Sequence, residues 1–160
     1  MDTSRMRRVL ERVSVPSFPP PVPGPGEPPP PPPDKLDALL DMETELLALC
    51  RRMRERSRAL GRELLGVERS ARRRREALER QWFLDHGDRP PRSAPWESRR
   101  EVVSVLLREA WIKCAQLERQ YDALSRNAPD GEQRRLFASL GRSAGESRRH
   151  LRALLGRWMG

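Results

Sequence analysis

The chain has 160 residues, 36% hydrophobic and 34% charged, with 32 basic against 23 acidic side chains and a formal net charge of +9. That length suits one core and excludes two domains of ordinary size. No apolar run approaches the roughly 20 residues of a membrane span, and Cys50 and Cys114 form neither a CxxC pair nor a disulfide framework.

The first segment, residues 1–15, can form a short amphipathic helix, because Met6, Val9, Leu10 and Val13 recur at helical spacing behind Thr3 or Ser4 as a cap. It lacks the continuous apolar region of a signal peptide, so a cytoplasmic chain with reduced thiols is expected. Residues 16–33, PSFPPPVPGPGEPPPPPP, cannot enter a helix or a sheet interior and read as a disordered, extended proline-rich tether.

From Asp34 the apolar period becomes helical, and residues 34–160 are expected to fold. Leu36, Leu39, Glu43, Leu46, Cys50, Met53, Ser57 and Leu60 alternate by three and four, a buried stripe with a glutamate in its middle. Gly61 is expected to interrupt it. Leu64, Val67, Ala71, Arg74, Leu78 and Trp82 mark a second helix, which Gly87 and Pro90 stop. After a connection over 88–95, a third helix is expected from about Trp96 to Arg126, with Val103, Leu107, Ala110, Cys114, Leu117, Tyr121 and Leu124 on one face. The turn NAPDGE leads to a fourth, from about Glu132 to Met159, with Leu136, Leu140, Ser143, Ser147, His150, Leu154 and Trp158 as its stripe. Trp82, Phe83, Trp111 and Trp158 are expected to pack the bundle ends.

Four long helices without a strand signal predict an all-α fold, an antiparallel four-helix bundle. The halves also repeat. One offset carries Leu60, Leu64, Arg74, Leu78 and Trp82 onto Leu136, Leu140, His150, Leu154 and Trp158, and another carries Glu43, Leu46 and Met53 onto Cys114, Leu117 and Leu124.

The run EAWIKCAQLERQYDALSRNAPDGEQRRLFASLGRSAGESRRHLRALL resembles the second hairpin of rubrerythrin-like members of the ferritin-like family, and ERQWFLDHGDRP is similar to the ending of their first hairpin. The likeness covers residues 35–159. It implies a bundle in which that family holds a di-iron centre with one Glu from each of two helices and a Glu-x-x-His from each of the others. The corresponding positions here are Glu43, Ala71, Arg74, Cys114, Ser147 and His150, of which only Glu43 and His150 keep the family's residue type. Alanine supplies no ligand, and arginine carries a permanent positive charge. No cofactor and no catalysis are therefore expected, and the six are vestigial ligand positions. The resemblance implies that Tyr121 lies near the centre.

In place of metal, Arg74 is expected to pair with Glu43. The run RRRR at 72–75 sweeps around its helix, so one member must face inward, and the stripe makes it Arg74. His150 is then a core histidine with Cys114 and Tyr121 as neighbours. Cys114 beside His150 as a thiolate and base lacks an orienting third group, which favours a core cysteine.

The leading expectation is a non-catalytic ferritin-like bundle with a structural or protein-interaction role, homodimeric through an exposed apolar helix face. The alternatives are an atypical iron- or manganese-binding or redox protein, drawing on Glu43, Cys114, Glu146 and His150, and a basic bundle that binds nucleic acid through the arginine-rich faces of the second and fourth helices.

Overall fold

The computed structural model describes residues 35–91 and 102–159. The expectations for 1–15 and 16–33, and the start of the third helix near Trp96, lie outside the described residues. The described residues form four helices: α1 (Lys35–Arg56), α2 (Arg58–His86), α3 (Val103–Asn127) and α4 (Gly131–Met159). Among the described residues there is no strand, and no helix is long and apolar enough to cross a membrane.

The boundary between α1 and α2 falls at Ser57 rather than at Gly61. Ser57 adopts an extended conformation, φ −146° and ψ 117°, and its hydroxyl accepts the Leu60 backbone N–H at 3.2 Å, satisfying one of the free donors at the start of α2. Leu60 therefore belongs to the second helix, not the first. Gly61 is buried inside α2, where the Arg54 side chain crosses it; a Cβ there would lie 2.8 Å from Arg54 Cγ. Its role is close approach, not helix breaking. Gly87 ends α2 as its spacing predicts, with φ 79° and its N–H bonded to Phe83 O at 2.8 Å. Between α3 and α4, Arg134 Nε donates to Ala128 O at 2.7 Å and Asp130 Oδ1 accepts the Glu132 N–H at 2.9 Å, which ties the short turn to the helix it starts.

α1 packs on α2 and α3, and α4 packs on α2 and α3, while the backbones of the diagonal pairs, α1 with α4 and α2 with α3, stay apart. The helices thus form a ring around one core. Leu39, Leu46, Leu64, Leu78, Leu106, Leu107 and Leu117 are buried in it, each worth about 1.5–3 kcal/mol relative to exposure. α4 approaches α3 over Gly141 and Gly145, where a Cβ would meet Asp122 Oδ1 at 2.7 Å and Glu118 Oε2 at 2.5 Å.

The stripes of α1, α2 and α3 lie where their spacing predicts, but that of α4 does not. Its buried residues are Phe137, Leu140, Ala144, Ser147, Leu151, Leu154 and Leu155, while Leu136 and Ser143 are half-buried and His150 and Trp158 are exposed. Leu140, Ser147 and Leu154 belong to both readings. The helix is rotated by one residue at the alternate positions, because turning Phe137 and Leu151 inward buries more apolar surface than turning Leu136 and His150 inward. Trp158, at 45% exposure, and Phe83, at 55%, do not close the bundle ends, whereas Trp82 is buried.

Candidate functional site

α1 carries Glu43 on its inner stripe, between Leu39 and Leu46, and the carboxylate is 0% exposed. On α2 the helix advances about 100° per residue, so of the four consecutive arginines only Arg74 faces inward: Arg72 and Arg73 are exposed and Arg75 is half-buried. Arg74 meets Glu43 in a two-pronged pair, Nε to Oε2 at 2.7 Å and Nη2 to Oε1 at 3.0 Å. The remaining donor, Nη1, reaches α4, to Ser143 Oγ at 3.0 Å and Ser147 Oγ at 3.3 Å. From α3 the Tyr121 hydroxyl donates to Glu43 Oε2 at 2.5 Å. Each helix supplies one part of a closed polar centre, in which a carboxylate and a guanidinium balance charge.

Burial raises the Glu43 carboxyl, while the Arg74 charge and the hydrogen bonds from Arg74 and Tyr121 work against that rise. For Arg74 burial acts downward, but Glu43 outweighs it and the net shift is upward, so the guanidinium stays charged. The geometry of a forked, charge-assisted pair favours an ionised Glu43.

Tyr121 is the chain's one tyrosine, and burial first, then the Glu43 charge, raise its pKa. A raised folded pKa contributes stability that is fully present below the unfolded value near 10 and is lost above it, by up to about 1.4 kcal/mol per pH unit. Absorbance at 295 nm is expected to stay flat through pH 10 and to rise only with loss of the helical circular dichroism signal. A reversible midpoint near 10 with helices intact would mean that the phenol reaches solvent. The two thiols add to the same alkaline loss: burial pushes Cys114 up to about 12 and Cys50 further.

Of the six positions marked by the resemblance, Glu43, Arg74 and Ser147 meet in this centre, and Ala71 and Cys114 are fully buried on the same inner stripes. His150 is not a core residue. It is exposed, and its Nε2–H donates to the Glu63 backbone carbonyl at 2.7 Å, across the α2–α4 boundary. The thiolate and base pairing of Cys114 with His150 fails for the same reason.

The correction to α4 also corrects the internal repeat. The offset that superposes buried on buried carries Leu64 to Phe137, Val67 to Leu140, Ala71 to Ala144, Arg74 to Ser147 and Leu78 to Leu151. On that offset Ser147, which is buried, rather than His150, which is exposed, falls opposite Arg74, and Ala144 falls opposite Ala71. The other offset sets Glu43 on Cys114 and Cys50 on Tyr121, and all four are buried.

A second buried acid went unread in the sequence. Glu68, 2% exposed, accepts from Arg54 Nη1 at 2.9 Å, over the surface left free by Gly61. Its place four residues after Leu64 and three before Ala71, on the flank of the stripe, was the available signal.

Among the described residues no three His, Cys, Asp or Glu side chains converge as a metal site. Ala71 and Ala144 offer no donor, and Arg74 projects a fixed cation into the centre, so the residues present do not fit a pair of divalent cations. Comparison with family models, curated proteins and solved structures finds no match to the chain. The described residues thus form an all-α unit of four helices with a buried ion pair at its centre.

Proposed function

We propose that the chain is a non-catalytic helical bundle of ferritin-like arrangement with a structural or protein-interaction role, in which an ion pair takes the place of a di-iron centre. The observation that carries this reading is the Arg74 guanidinium seated on Glu43 and shared with Ser143 and Ser147. It supplies the positive charge that would otherwise come from metal, and it consumes the carboxylate a metal would need.

The contact pattern supports the ferritin-like arrangement. Contacts that climb one helix descend its neighbour: Glu43 with Arg74 and Arg54 with Glu68 for α1 and α2, Lys113 with Glu45 and Tyr121 with Glu43 for α1 and α3. The same holds for Glu118 with Arg148 and Asp122 with Gly141 between α3 and α4, and for Glu63 with Arg157 and Arg74 with Ser147 between α2 and α4. If all four neighbouring pairs are antiparallel, the diagonal helices α2 and α3 are parallel, and consecutive parallel helices need one link that returns along the bundle. The chain from Gly87 to Val102 is long enough for that: at about 3.3 Å per extended residue it reaches about 50 Å, against about 43 Å for α2.

Metal analysis tests the proposal. Protein purified without chelator from iron- and manganese-supplemented medium is expected to carry either metal far below one ion per chain. One or two ions per chain, lost in Glu43→Ala, would instead establish the metal-binding alternative.

A further inference from the structure

Going beyond a structural role, we infer that the outward face shared by α2 and α4 is a docking surface for the phosphate backbone of a nucleic-acid duplex. On α2, Arg58, Arg62, Arg69, Arg73 and Arg80 recur by four and seven residues and are all exposed. They form a single row on the side of the helix opposite the buried stripe of Leu60, Leu64, Val67, Ala71, Arg74 and Leu78. On α4, Arg135, Arg142 and Arg149 recur by seven and are likewise exposed, opposite Leu140, Ser147 and Leu154.

The two helices are neighbours, so the rows lie on the outer sides of adjacent helices. The contacts of Arg74 with Ser143 and Ser147, and of Glu63 with Arg157 and His150, set their relative level. Arg69 falls level with Arg149, and Arg73 and Arg80 lie within about one turn of Arg142 and Arg135. Among the described residues none of these eight arginines makes an ion pair, in contrast to Arg54, Arg74, Arg148 and Arg157. The charge of this face is thus left for something outside the fold.

Three features select a duplex backbone as that partner. Arginine forks match phosphate geometry and bind it with two hydrogen bonds. The α2 row spans about 33 Å, close to one turn of duplex, on a rigid helix. The positions among the arginines are Leu65, Gly66, Glu76, Ser139, Glu146 and Ala153. The exposed apolar residues of this face are Leu65 and, one turn beyond Arg80, Phe83 and Leu84; with the arginine row between them they do not build the continuous apolar face that a lipid interface needs, one phenylalanine at the end of the row gives no series of stacking platforms for successive single-stranded bases, and no amide reads a base edge. Recognition is therefore electrostatic and independent of sequence.

The test is the affinity of the full chain for a labelled 20-base-pair DNA duplex over a salt series. Wild type is expected to bind with log K falling linearly in log salt. The variant R69Q/R73Q/R142Q/R149Q should bind at least tenfold more weakly, with a salt slope shallower by about 3 to 4 and an unchanged melting temperature. R51Q/R108Q/R119Q/R126Q removes the same charge from exposed positions of α1 and α3 and should stay within about twofold of wild type. Should the first variant fail to fold, R142Q/R149Q alone should cut the slope by about 2. Absence of salt-dependent binding by wild type, equal losses in the two quadruple variants, or competition by phosphatidylserine vesicles or an acidic polypeptide as strong as by duplex would each overturn the assignment.

Discussion

Arg74→Ala is expected to lower the free energy of unfolding by about 3–5 kcal/mol, while Arg73→Ala, one position along and exposed, changes it by less than about 0.5 kcal/mol. The difference arises because the alanine at 74 strands the Glu43 carboxylate at 0% exposure and removes the donor that Ser143 and Ser147 share. Domains of this size are stable by only about 5–15 kcal/mol, so the loss is a large fraction of the whole. Urea denaturation of the two variants, with equal slopes, measures it; coincident midpoints would show that the pair is not buried as described. The double variant Glu43→Leu/Arg74→Met is expected to recover most of the loss, since no charge remains to be desolvated. The orphaned Tyr121 hydroxyl keeps a residual cost of about 1–3 kcal/mol. Recovery in the double variant distinguishes a stranded charge from a simple loss of packing, which a second truncation would worsen.

The second large effect concerns α4. Leu151→Ala is expected to destabilise by about 2.7–5 kcal/mol, because Leu151 is fully buried and its truncation leaves a cavity in the ring of four helices. His150→Ala removes only the hydrogen bond to the Glu63 carbonyl, worth about 0.5–1.5 kcal/mol. Thermal melts of the two single variants rank them. The reverse order would return His150 to the core and Leu151 to the surface, and with them the repeat that pairs His150 with Arg74.

How much of this was legible in the sequence varies from helix to helix. In α1 the stripe of Leu36, Leu39, Glu43, Leu46, Cys50 and Met53 has exposed or half-buried charged residues on its far side, at Asp41, Glu45 and Arg52, so only one face can turn inward. In α2 the argument is as strong, and a run of four arginines leaves Arg74 as the member on the stripe. α4 is ambiguous because apolar residues come as adjacent pairs, Leu136 with Phe137 and Leu154 with Leu155, and a helical period read through such pairs can settle on either member. The resemblance to an iron-binding helix then favoured the register that put a histidine inside. Glu68 was overlooked for a related reason: a carboxylate on the flank of a stripe is buried only because Arg54 crosses Gly61 to meet it, and that crossing belongs to two helices.

The sequence by itself determined that the described segments 35–91 and 102–159 are built from long helices, where the turns at Gly87 and NAPDGE fall, and that Glu43 and Arg74 lie on the inner stripes of their helices, since these follow from a period of 3.6 residues and from the backbone preferences of glycine and proline. Only the tertiary structure decided which flank of α4 is buried, which helices are neighbours, and that Ser143 and Ser147 complete the shell around Arg74. Those depend on how much apolar surface each rotation of a helix removes from water against its particular neighbours.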